Sequence, residues 1–324
     1  MKAFVTGGTG FIGSHLVDTL IADKSYEQVR CLVRTNEKWL QHKRFEKVKG
    51  DLYDLPVLKK AVQDVDVIFH LAGMVKAPDY QALKRANVEA TENLIRVAQR
   101  AGVPKIVVLS SLAAAGPSKG AAVTEQSDME PVSMYGRSKK KMEEVIHQIA
   151  KPETSITILR PAAVYGPRED QIYSFFRMAN NRICPIIGNG RHPEISMVYV
   201  ADVIQGCMKA ARQQKAGVHT YFISGEPIHS WNEIRKTTAK VLGKRMIPVY
   251  IKPAWVKSIA GAVEKTASFF GIYPIINRDK ANELILEWTC SIEKAKKELH
   301  YAPQYSLAEG ISRTIHWYQK HHWL

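Results

Sequence analysis

Three observations predict an α/β fold for this 324-residue sequence: a doubly wound parallel sheet with a smaller, mostly helical second domain. Up to about residue 160, short β-branched runs alternate with helical patterns, the signature of parallel strands joined by crossover helices. Several of those runs are apolar throughout, as strands covered on both faces should be. A glycine-rich stretch, Thr6-Gly7-Gly8-Thr9-Gly10-Phe11-Ile12-Gly13, sits between the first run and the first helical pattern.

Taken in order, strands are expected over Ala3–Thr6, Val29–Val33, Glu46–Lys49, Val65–His70, Ile106–Leu109 and Ile156–Leu159. Helices are expected over Phe11–Ala22, Leu55–Gln63, Tyr80–Ala101 and Tyr135–Ile149. After Pro161 the rhythm changes, with frequent Gly and Pro (Gly166-Pro167, Gly188, Gly190, Pro193). Two more apolar runs, Met197–Val200 and Tyr221–Ser224, flank a helix from Val203 to Arg212, and the final hundred residues read as mostly helical. The expected division is a sheet domain over 1–165, with 196–225 returning to it, and a substrate domain from 166–195 and 226–324.

Forty-six Lys and Arg against 31 Asp and Glu give a formal charge of +15, which favours anionic ligands. Nucleic acid is not expected as a partner, because the basic residues are spread along the chain and the densest group, Arg137–Lys141, lies on a helix. The four cysteines (Cys31, Cys184, Cys207, Cys290) show neither a C-x-x-C pair nor ligand-like spacing, so no metal is expected. With no apolar run of membrane-spanning length, the expectation is a soluble, cytoplasmic protein.

The glycine stretch has the chemistry of a phosphate cradle. Its glycines allow a tight turn and close backbone approach, and the following helix offers free N–H groups and a favourable dipole. Gly7, Gly10, Phe11, Ile12 and Gly13 are the residues expected to hold a dinucleotide. The acidic residue that often ends the second strand and bonds a ribose hydroxyl is absent; Arg34 stands there. An arginine can pair with a 2′-phosphate, which favours NADP over NAD, although NAD is not excluded. The plain alternative is a solvated arginine. Asp51 and Leu52 follow the third strand, beside the adenine path. Leu71, Ala72 and Gly73 follow the fourth, while His70 reads as a packed, hydrogen-bonded histidine.

Tyr135-Gly136-Arg137-Ser138-Lys139 sets Tyr and Lys four apart, on one helix face. An ammonium so placed is expected to lower the phenol pKa toward neutrality, making it a usable acid and base. Ser110-Ser111 ends the fifth strand, at the edge where open α/β sheets bind ligands.

These pieces together resemble the extended short-chain dehydrogenases/reductases, of the NAD-dependent epimerase/dehydratase kind. The resemblance rests on TGGTGFIG (6–13), GDL (50–52), HLAG (70–73), NVEATENL (87–94), LSSLAAAG (109–116), YGRSK (135–139), LRPAAVYGP (159–167) and VYVADV (198–203), and spans essentially the whole chain. It implies a Rossmann domain, a catalytic set of Ser111, Tyr135 and Lys139, and nicotinamide contacts from Tyr135, Lys139, Pro161 and Ala162. It also implies that Asn87 bonds backbone below the cofactor. A homodimer is implied too, paired through the helices beginning near Tyr80 and Tyr135.

Two departures bear on substrate. Members acting on nucleotide-sugars carry an Asn three residues after the arginine of the sixth strand and an Arg five residues before Val200. Both contact the sugar nucleotide's diphosphate; here Ala163 and Ile195 hold those places. LRPAAVYGP is instead similar to the 3β-hydroxysteroid dehydrogenase and dihydroflavonol reductase branches. The segment Pro253–Ile276, with Trp255, Val256, Ile259, Ala260, Val263, Phe269, Phe270, Ile272 and Tyr273, reads as a core helix, a greasy substrate lid or a membrane-surface contact. The expected activity is NADP(H)-dependent interconversion of a hydroxyl and a ketone on a mostly apolar small molecule. The alternatives are a nucleotide-sugar epimerase or dehydratase with tightly held NAD, and a cofactor-sensing protein.

Overall fold

The computed structural model describes residues 1–256, 258, 260 and 278–324. Its centre is a parallel sheet built from β1 (Lys2–Thr6), β2 (Gln28–Val33), β3 (Glu46–Lys49), β4 (Val67–His70), β5 (Lys105–Leu109) and β6 (Ser155–Pro161), completed by a seventh strand from later in the chain. The order begins β3-β2-β1-β4-β5-β6, reversing direction between β1 and β4. That reversal opens the crevice in which doubly wound sheets hold dinucleotides.

Helices cover both faces. α1 (Phe11–Ala22) packs Leu16, Val17 and Leu20 on one side; α2 (Leu55–Ala61) packs Leu58 on the other. Asp54 caps α2, its carboxylate accepting from the Val57 N–H at 3.1 Å, and Pro56 occupies its first turn. The crossover expected as one helix over Tyr80–Ala101 is helical without interruption to Arg100, with a π-turn inside it. α3 (Tyr80–Lys84) runs into a π-turn at Arg85–Glu89 before α4 (Ala90–Arg100). Buried Leu83, Asn87, Thr91, Leu94 and Ala98 keep a three-to-four spacing through it, so periodicity alone does not show the π-turn. α5 (Leu112–Ala115) and α6 (Met134–Ile149) follow β5. They approach so closely at Gly136 that a β-carbon there would stand 2.4 Å from the Ala113 carbonyl oxygen.

Beyond β6 come β7 (Ala163–Tyr165), α7 (Tyr173–Asn180), β8 (Ile183–Ile187), β9 (Glu194–Ile195), β10 (Met197–Tyr199), α8 (Val200–Ala211) and β11 (Gly217–Ile223). β11 is the seventh strand of the sheet, lying outside β6. The run Met197–Val200 does not enter that sheet: β10 pairs with β7. α8 buries Val203 and Cys207 beside α1. Then β12 (His229–Ser230), α9 (Trp231–Leu242) and β13 (Ile247–Ile251) build a side lobe, in which β13 pairs in parallel with β8. Helices Arg278–Leu284, Glu293–Leu299 and Leu307–Lys320 complete the described chain. Of the Pro253–Ile276 segment, Ile259, Val263, Phe269, Phe270, Ile272 and Tyr273 lie outside the described residues. Among the described residues, no helix is long and apolar enough to cross a membrane.

Candidate active site

The glycine stretch forms a tight turn between β1 and α1. Gly7 has φ +75°, and a β-carbon there would come within 2.5 Å of the Ala72 nitrogen, so β1 and the end of β4 touch backbone to backbone. A β-carbon on Gly13 would stand 2.1 Å from the Gly7 carbonyl oxygen. α1 starts at Gly10 without a side-chain cap, which leaves its first N–H groups facing the crevice. The Gly10 N–H closes the turn on the Gly7 carbonyl at 3.0 Å. The residues present fit a dinucleotide: two places without room for a side chain, and an uncapped helix N-terminus aimed between them. Phe11 and Ile12 open the helix, and Leu71 bonds back to β1 through its N–H and the Thr6 carbonyl.

At the adenosine end, Arg34 is exposed just past β2 and makes no hydrogen bond or ion pair among the described residues. Asp51 spends one carboxylate oxygen on its own turn, accepting from the Tyr53 and Asp54 N–H groups at 2.7 and 3.1 Å. The Leu52 carbonyl accepts from Asn93.

At the opposite end, Ser111 caps α5, its Oγ accepting from the Ala113 N–H at 3.1 Å, and hydrogen-bonds the Tyr135 phenol. Its neighbour Ser110 turns away and donates to the Glu143 carboxylate at 2.5 Å. Glu143 is paired with Arg160 at 2.6 Å, both buried. Ser111, Tyr135, Pro161 and Ala162 line one cavity of about 240 Å³. Lys139 is buried one helical turn beyond Tyr135, its Nζ donating to the Leu109 carbonyl at 2.8 Å. Gly73 lies beside it, where a β-carbon would stand 3.3 Å from Nζ.

One electrostatic expectation is corrected. Lys139 does not pull the Tyr135 phenol toward neutrality; burial pushes that phenol up to about 12, the Ser111 hydrogen bond opposes this, and the Glu283 carboxylate adds to it. The ammonium is occupied with Leu109, and burial lowers Lys139 itself to about 8.

Beneath these groups runs a directed chain of polar side chains. Asn87, set by the π-turn, accepts from the Met74 N–H at 2.7 Å and donates to the Met74 carbonyl and to Ser138. Thr91 donates to the Asn87 carbonyl, so its oxygen accepts from His70 Nε2 at 2.8 Å, and His70 Nδ1 then accepts from Thr6 at 2.7 Å. Burial and the nearby Lys139 hold His70 neutral, its pKa down at about 3.

Comparison with known proteins bears on this arrangement. The model of the NAD dependent epimerase/dehydratase family matches residues 3–224. The chain belongs to that family. Among relatives of this epimerase/dehydratase-family chain is the ceramide reductase of Caulobacter vibrioides, 26% identical, with 99% of this chain and 95% of the relative covered. A putative dihydroflavonol 4-reductase of Synechocystis is 29% identical over 98% and 94% of the two chains. Among solved structures, MoeE5 in complex with UDP-glucuronic acid and NAD superposes with a TM-score of 0.79 at 25% identity, covering 99% and 100%. This family member is thus an NAD-dependent type of oxidoreductase on a Rossmann fold.

Sequence reasoning missed the far wall of the cavity. Trp231, Glu283, Leu284, Leu286 and Trp288 line it with Leu83, beside Ala163 and Ile195, which the sequence did single out. Trp288 reaches that place by pairing with β9, its N–H donating to the Glu194 carbonyl at 3.0 Å. No local motif announces such residues; only the tertiary fold brings them to Tyr135. Trp255, offered as a lid residue, is 67% exposed and lines no part of the cavity.

Proposed function

We propose that this protein is an NADP(H)-dependent oxidoreductase that interconverts a hydroxyl and a ketone on a mostly apolar substrate. The observation that carries the reading is the cavity over Tyr135. Ala163 and Ile195 take the two places where similar nucleotide-sugar enzymes hold a diphosphate, and Trp231, Leu284, Leu286 and Trp288 surround them. Glu194 and Glu283 also line the cavity, and two carboxylates repel a diphosphate. The names of two relatives, a ceramide reductase and a putative dihydroflavonol 4-reductase, support a substrate that is not a nucleotide-sugar.

The nicotinamide, when bound, supplies or accepts the hydride. Ser111 orients the substrate oxygen, and Tyr135 passes its phenolic proton to that oxygen as negative charge develops there. A phenol held near 12 is fully protonated at neutral pH, which suits the reductive direction. Lys139, one helical turn from Tyr135 and lowered by burial to about 8, would hold the nicotinamide ribose when the cofactor is bound. Pro161 and Ala162 bound the nicotinamide side of the cavity. Arg34, exposed and unpaired among the described residues, takes the 2′-phosphate that distinguishes NADP. A homodimer paired across a two-fold axis through the helices beginning near Tyr80 and Tyr135 belongs to the same proposal, and sedimentation showing only monomer would refute that part.

Titration calorimetry tests the substrate class. NADPH should bind more tightly than NADH, aryl or cyclic ketones should be reduced, and UDP-glucuronic acid should give no measurable heat. Micromolar binding of a UDP- or dTDP-sugar would overturn the reading in favour of an epimerase or dehydratase that recycles NAD.

A further inference from the structure

The side lobe of α7, β8, α9 and β13 carries a surface that the proposed chemistry does not use. Residues 171–193 and 234–256 of it contain Lys and Arg but no Asp or Glu; Glu233, in the first turn of α9, is held by the Ser230 cap. Arg177, Arg182, Lys236, Lys240, Arg245 and Lys252 are exposed, and none forms an ion pair among the described residues.

Apolar side chains stand among these cations. Ile183 pairs with Ile247, and Val249 lies two residues farther along, so the three share one face of the β8–β13 ribbon. The opposite face is closed: Cys184 and Ile186 are buried with Ala179 and Met246. The first face is open, with Ile183, Ile247 and Val249 exposed at 47%, 65% and 44%. Trp255, just beyond β13, is 67% exposed, and Tyr250, which points to the other side of the strand, is 54% exposed. A hollow lined by Arg235, Lys236, Arg245, Ile247 and Pro248 brings three cations to its rim, and Arg235 Nε is buried there without a partner.

We propose that this face docks on an anionic lipid bilayer. Headgroup phosphates take the hollow between α9 and β13, while Ile183, Ile247, Val249 and Trp255 enter the interfacial region, where aromatic rings such as that of Trp255 are favoured. A nucleic acid offers its phosphates to the cations but nothing to exposed Ile183, Ile247 and Val249. A second copy in a two-fold contact would set the unpaired cations of one face against those of the other. The bilayer satisfies both charge and apolar surface. Docking there also brings the cavity close to apolar molecules: Val256 and Ala260, next to Trp255, pack on Ala281, whose helix carries Glu283 and Leu284 into the cavity wall.

Co-sedimentation of the full chain with vesicles tests the proposal. It should bind equimolar phosphatidylglycerol and phosphatidylcholine vesicles, not phosphatidylcholine alone, and salt should weaken the binding. Each cation removed should lower partitioning about fivefold, so Lys236→Gln with Arg245→Gln should lose roughly 25-fold. Ile247→Gln with Val249→Gln should weaken binding while keeping the salt dependence. All four side chains reach the surface, so melting temperatures should stay near that of the unaltered protein. Failure of the unaltered protein to sediment with anionic vesicles would overturn the proposal. So would equal binding by both double variants, tighter binding to duplex DNA at the same salt, or loss of self-association in the variants with vesicle binding intact.

Discussion

Replacing Lys139 by methionine removes a charge that the fold holds under strain, and its effect on stability can be worked out from its surroundings. Burial lowers the Lys139 pKa from 10.5 to about 8, a fall equivalent to about 3 kcal/mol between its protonated states. The sign follows from proton counting. Below pH 8 the folded and unfolded chains both carry the proton, and the folded state bears the full penalty. Between about pH 8 and 10.5 the folded chain has released it while the unfolded chain retains it, so stability rises with pH. A methionine fills much of the same volume without the penalty. It forfeits the hydrogen bond to the Leu109 carbonyl, costing about 1 kcal/mol or somewhat more. The net expectation at pH 7 is a variant more stable by about 1–2 kcal/mol, with ketone reduction nearly abolished. Urea denaturation at pH 7 and pH 10 measures both parts, and the advantage should shrink at the higher pH. A variant less stable at pH 7, or a difference that ignores pH, would refute the reasoning.

Tyr135→Phe should cut turnover by roughly two to four orders of magnitude while leaving NADPH affinity nearly unchanged, as steady-state kinetics and calorimetry can show. Arg34→Asp should invert cofactor preference, losing about ten- to a hundredfold in NADPH affinity, whereas equal affinity would show a merely solvated arginine. Gly13→Ala puts a β-carbon 2.1 Å from the Gly7 carbonyl oxygen, so the turn must open and both cofactors should lose affinity, read by thermal shift. Acidification should destabilise the protein progressively from about pH 6.5 toward pH 3, because folded His70 refuses the proton that the unfolded chain takes up; a flat melting temperature across that range would refute it.

What the sequence shows clearly is local chemistry. The Gly7–Gly13 turn, the Tyr135–Lys139 spacing and the apolar strands each depend on neighbours within a few residues, and their elements lie close to where the pattern puts them. The π-turn inside the long crossover helix was not legible, since Arg85–Glu89 leaves the buried positions at three-to-four spacing. Nor were Glu283 and Trp288, whose approach to Tyr135 depends on the packing of the side lobe rather than on any spacing. Ser110 and Ser111 look equivalent in sequence. Their different directions are set by Glu143 on one side and by the start of α5 on the other.

The seventh strand has a consequence for biosynthesis. β11 covers the outer edge of β6 along seven residues, and its own Tyr221, Phe222 and Ile223 are fully buried. A nascent chain that has emerged only as far as residue 165 therefore carries β6, with Ile156, Ile158 and Leu159, as an unpaired edge beside exposed core. Such an edge is a template for intermolecular pairing until the ribosome has released residue 223. Chaperone dependence should accordingly be concentrated in that interval of translation, and a fragment ending at residue 165 should collect in inclusion bodies where the full chain does not.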